Sequence, residues 1–94
     1  MTEICRFGFK KLISKETIEE SMTLAIVTAE CVYGPAKVRL HAGYHAANGK
    51  AVIDVSGEVG EHIAQVFTGL MLKQLGEDAF TVTRTTIVPK AGGK

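Results

Sequence analysis

Residues 37–56, KVRLHAGYHAANGKAVIDVS, carry the clearest pattern in the chain. They read as two strands reversed at Asn48-Gly49, a pair suited to a type I′ turn, in which both central residues take positive φ. The turn sets a register. Ala47 faces Lys50, His45 faces Val52, Gly43 faces Asp54 and His41 faces Ser56 on one side of the ribbon, while Tyr44 meets Ile53 and Ala42 meets Val55 on the other. Val38 and Leu40 join the apolar side. A slip of one residue in either strand would scramble the sorting. The expectation is a sheet with one covered and one polar face.

Upstream, EICRFGFKKL (residues 3–12) alternates, with Cys5, Phe7 and Phe9 on one face and Arg6, Gly8 and Lys10 on the other, as in a half-buried strand. Ser14 is a good N-cap, and Glu16, Glu19 and Glu20 suit the positive end of a helix dipole. Ile18, Met22, Ala25, Ala29 and Val32 recur at helical spacing up to Gly34-Pro35, which reads as a stop. This predicts a helix over 15–33. The Thr, Ile and Val content of residues 22–33 leaves a strand there as the alternative. A second apolar stripe, Leu24, Val27 and Cys31, lies nearly opposite the first. It implies either a helix sunk between other elements or a subunit contact.

Downstream, Ser56 or Gly57 caps a helix carrying Val59, Ile63, Val66, Phe67 and Leu70, which Gly76 ends. Gly60 and Gly69 sit inside it, where glycine is tolerated when another backbone comes close. AFTVTRTTI (residues 79–87) is a last strand with Phe80 and Val82 inward and Thr81, Thr83 and Thr85 outward. Residues 88–94 read as a frayed tail. The predicted fold class is therefore α+β. The order β-α-β-β-α-β is that of the ferredoxin-like split βαβ plan, a four-stranded antiparallel sheet in the order 4-1-3-2 with two helices on one face. The alternative is a β-β-β-α-β meander with 22–33 as a strand. The plan hosts many unrelated functions.

The totals exclude some roles. Ninety-four residues suit a single domain, 1–94, with one modest core. A net charge of +1 gives no electrostatic footprint for nucleic acid or acidic membrane. The outward positions of the central strands, Arg6, Gly8, Val52 and Asp54, also lack the aromatics on which such sheets stack bases. No apolar run approaches a membrane span, and the N-terminus lacks a signal-peptide pattern, so a cytoplasmic location is expected. Cys5 and Cys31 read as two reduced, buried small hydrophobes.

The candidate chemistry lies on the open sheet face. His41, His45, Asp54 and Arg6 are the candidates for acid–base work, since histidine titrates near neutrality and a carboxylate can orient it. Arg6 and Asp54 could pair across adjacent strands. His41 and His45, four apart on one strand, would stand roughly 13 Å apart and could not chelate one ion. No metal site and no cofactor is expected. Arg39, Ser56 and Gly57 are the candidates for ligand binding, Gly57 because DVSGEVGEH (residues 54–62) resembles a glycine-bearing helix start. The expected function is a self-associating module with a regulatory, assembly or small-ligand-binding role. The alternatives are a small oligomeric enzyme using the open-face His, Asp and Arg groups, and nucleic-acid binding.

Overall fold

In the computed structural model, which describes residues 2–10 and 13–87, the chain runs β1 (Thr2–Phe9), α1 (Lys15–Tyr33), α2 (Pro35–His41), β2 (Tyr44–Ala47), β3 (Lys50–Asp54), α3 (Glu58–Leu75), a 3-10 turn (Glu77–Ala79) and β4 (Phe80–Ile87). The tail expected to fray lies outside the described residues. The fold is α+β: three α-helices and a four-stranded antiparallel sheet in the order β2-β3-β1-β4.

Ser14 starts α1 by accepting a hydrogen bond from the Thr17 N–H. Residues 22–33 are helical throughout, which rules out the meander. α1 and α3 pack side by side on the sheet. Their stripes (Ile18, Met22, Ala25 and Ala29 from α1; Val59, Ile63, Phe67 and Met71 from α3) close over Cys5, Phe7, Ala51 and Ile53. Phe7 meets Phe67 edge to face at a centroid separation of 4.9 Å. The second stripe of α1 is not sunk in the fold: Leu24 is 53% and Val27 47% exposed. Cys31 lies on it and is exposed too, so only Cys5 is a buried thiol.

The hairpin register is the expected one over Tyr44–Ile53, His45–Val52 and Ala47–Lys50. Gly43 continues it by accepting from the Asp54 N–H at 2.8 Å. The turn itself is not type I′, because Gly49 takes φ +73° and no non-glycine residue has positive φ among the described residues. A single positive φ at the second turn position is the pattern of type II. Asn48 serves elsewhere: its Oδ1 accepts from the Lys15 N–H at 2.8 Å, tying the turn to the start of α1.

The main departure lies upstream of the hairpin. Residues 35–41 form α2, a third helix where a strand is expected. Gly34-Pro35 ends α1 and also starts a helix: Gly34 at φ +90° turns the chain, and proline suits the first helical position, where its missing N–H is not needed. Val38 is buried as expected, but Leu40 points to solvent at 80% exposure. Tyr44 and Val82, both expected inside, sit at opposite margins of the covered face and are 50% and 43% exposed. Ile4, on the outer face by register, is buried apart from the core.

Candidate functional site

Because the chain after Pro35 is helical, α2 stands beside the start of α3 instead of extending the sheet. Two glycines bring the surrounding backbones together. A Cβ on Gly43 would lie 3.2 Å from Asp54 Cβ, and one on Gly60 would collide with the Asp54 carbonyl. Gly60 therefore meets the close backbone approach that its place in a helix suggests. Asp54 Oδ1 accepts from the Ser56 N–H at 2.9 Å, and Ser56 Oγ accepts from the Glu3 N–H at 3.0 Å. These bonds fix the β3–α3 connection. Gly57 caps α3, and no side-chain cap hydrogen bond forms there among the described residues.

Between α2 and this connection lies a cleft of about 610 Å³, lined by Lys37, Leu40, His41, Asp54, Glu58 and Val59 together with Ser56 and Gly57. Lys37 Nζ pairs with Glu58 and lies 5.2 Å from the centroid of the Tyr33 ring, within cation–π range. The Lys37 hydrogen bond and charge, helped by His41, hold the Glu58 carboxyl below its ordinary value. The cleft thus offers two basic side chains, two carboxylates, a hydroxyl and a helix N-terminus over a small apolar floor.

Four of the residues singled out in the sequence meet here: His41, Asp54, Ser56 and Gly57. The other three do not. Arg39 is exposed on α2, and His45 is exposed on the outer sheet face opposite Val52. Arg6 lines a separate hollow of about 310 Å³ with Gly8, Lys50 and Thr83. Arg6 faces Val52 in register, and no Arg6–Asp54 ion pair forms among the described residues. Arg39 and His41 leave the sheet face because they belong to α2. Lys37 and Glu58 are the residues that sequence reasoning passed over as a pair, since only α2 brings them together.

Elsewhere, burial pushes the Cys5 thiol up, with Arg84 partly opposing, which keeps thiolate scarce. His62 is held within the fold: its Nε2 lies 3.1 Å from Thr28 Oγ1, and its ring packs edge-on to Tyr33. Among the described residues no group of three His, Cys, Asp or Glu side chains could hold a metal ion, and no helix is long and apolar enough to cross a membrane. No family model, no curated protein and no solved structure matches the chain.

Proposed function

We propose that the protein is a self-associating module that binds a small polar ligand in the cleft between α2 and α3. The observation that carries the binding half is the gathering of Lys37, His41, Asp54, Ser56 and Glu58 around one opening of about 610 Å³. A concave site with a few convergent polar groups over an apolar floor is the usual form of a ligand site. Its mixed charges suit a molecule bearing both a carboxylate or phosphate and an amino group. The anionic group would face Lys37, His41 and the first N–H groups of α3, and the amino group would face Asp54 and Glu58. The exposed Leu24, Val27 and Val32 of α1 support the self-association half.

The fold reading that goes with this proposal is a modified split βαβ plan. The order β2-β3-β1-β4, counted from the other edge, is 4-1-3-2. α2 replaces the first half of the plan's second strand.

Heteronuclear NMR titration with small zwitterions, monoanions and monocations tests the site. Shift changes confined to α2, residues 54–59 and the first turn of α3, strongest for zwitterions and lost in Lys37→Ala, are expected. Changes spread over the surface, or unaltered by Lys37→Ala, contradict the reading. A second reading, acid–base chemistry, is supported by His41 and Asp54 lining one cleft. It requires turnover that falls with His41→Ala and follows the histidine titration; unchanged rates remove it.

A further inference from the structure

We infer that two copies of this chain join edge to edge through β4, antiparallel and centred on Thr83. This inference rests on the self-association half of the proposed function and names its surface. β4 is eight residues long, pairs only with β1 among the described residues, and is exposed from Thr81 to Ile87. A long strand edge that is unpaired, uncovered and free of proline is a template for another strand. β4 has no proline within it and one charged residue, Arg84.

The direction of each backbone group can be worked out. Lys10 N–H donates to the Ala79 carbonyl at 2.8 Å. With the β1–β4 register, this turns the N–H and C=O groups of Thr81, Thr83 and Thr85 toward β1. Those of Phe80, Val82, Arg84 and Thr86 point out from the sheet.

Two-fold pairing must join outward groups to outward groups and keep each side chain on its own face. Centring on Thr83 does both: Phe80 pairs with Thr86 of the second copy and Val82 with Arg84, and each relation is repeated by symmetry. All four outward residues are then used, with about eight hydrogen bonds along roughly 24 Å of edge. Centring on Arg84 would oppose two guanidinium groups and leave Phe80 unpaired within 80–86.

Charge and side-chain chemistry favour the same frame. Arg84 Nη2 stands 3.2 Å from Glu3 Oε1 and 2.5 Å from Glu61 Oε1. Both contacts are ion pairs of the one guanidinium. Two carboxylates around one cation leave a surplus negative charge at the middle of each edge. The second copy's Arg84, arriving two positions along the edge, lies beside the carboxylates of this cluster as well as its cation, so the two guanidinium groups do not stand directly opposite each other. Its alkyl stem covers the half-exposed Val82. On the outer face Thr83 meets Thr83 and Thr81 meets Thr85, favourable cross-strand partners. A second copy fits because the edge is complementary to itself about one residue, which an arbitrary peptide does not require.

The test is cysteine cross-linking with sedimentation. In the full chain carrying Cys31→Ser, Thr83→Cys places two thiols in a non-hydrogen-bonded pair with Cα atoms about 4.5 Å apart, within disulfide reach. Thr85→Cys places them about 14 Å apart, out of reach. Mild oxidation is expected to convert more than about half of the Thr83→Cys protein to a covalent dimer and less than about a tenth of the Thr85→Cys protein. Val82→Pro, which removes an outward N–H that the dimer uses twice, is expected to raise the dimer dissociation constant about tenfold. A wild-type chain that sediments as a monomer at high micromolar concentration overturns both this inference and self-association. A wild-type dimer in which Thr83→Cys links no better than Thr85→Cys overturns the β4 interface alone and leaves the α1 stripe as the contact. Circular dichroism of each variant confirms that it is folded.

Discussion

The two edges of the sheet are built in opposite ways. β2 is four residues long, because the preceding segment coils into α2 and leaves the sheet plane. Its Ala46 is buried under the helices. β4 is twice as long and exposed from its second residue onward. One edge was shortened and its missing half turned into the wall of a cleft. The other keeps a full row of outward N–H and C=O groups. The difference teaches that a single local choice, helix instead of strand after Pro35, shortens one edge and builds the wall of a cleft beside it, while the far edge keeps its full length.

The sharpest way to break this comparison is to place the same charge on both edges. Ala46→Asp buries an unpaired carboxylate and should destabilise the chain by about 3 kcal/mol. Val82→Asp should change monomer stability by no more than about 0.5 kcal/mol. Urea unfolding at low protein concentration reads both, and equal losses would show that the edges do not differ.

The next effect separates inward from outward groups of β4 itself. Thr83→Pro removes a hydrogen bond to β1 and should cost about 2 kcal/mol more than Val82→Pro, whose lost N–H points away from the sheet. The reverse order would mean that the phase of the ladder is wrong.

A smaller effect probes the flank of α3 beside β4. Gly69 lies in a groove with Thr68, Leu72 and Arg84, and a Cβ there would touch nothing. Gly69→Ala should therefore stabilise the monomer by about 0.5–1 kcal/mol, as for an unhindered helix interior. A loss of stability would reveal packing on that side. Gly60→Ala should act oppositely, because its Cβ would strike the Asp54 carbonyl.

The smallest effect belongs to the cleft beside the short edge. Lys37 lowers the Glu58 pKa in the folded chain. The stabilisation from that pair is complete above the unfolded carboxyl value and fades as pH falls through the lower folded value. Carboxyl-carbon NMR should find Glu58 titrating below the ordinary glutamate value, and Lys37→Met should return it to that value. A Glu58 that titrates at the ordinary value in the unaltered chain would mean that the pair does not form in solution.

The parts of this architecture legible in the sequence were those set by local chemistry. Ser14 and Gly34 bound α1, Gly76 ends α3, and the apolar and polar positions of residues 44–53 impose the hairpin register. Residues 35–41 were not legible, because Val38, Leu40 and Ala42 alternate as they would on a strand. A seven-residue helix holds too few turns to announce its own period, and only one of its residues, Val38, is buried. Gly34-Pro35 carried both meanings, stop and start, and the pattern on either side could not choose between them. The site followed the same division. His41 and Asp54 could be named as polar groups of the open sheet face, and Ser56 and Gly57 as the start of a helix. Lys37 and Glu58, 21 residues apart, become partners only when α2 exists.

Amide hydrogen exchange measured residue by residue at low and high protein concentration tests the asymmetry of the edges most directly. The account predicts that the Val82, Arg84 and Thr86 amides exchange freely in dilute solution and become protected as concentration rises, while those of Tyr44 and Ala46 do not respond. Protection on β4 that is independent of concentration, or a response confined to β2 or α1, would contradict it.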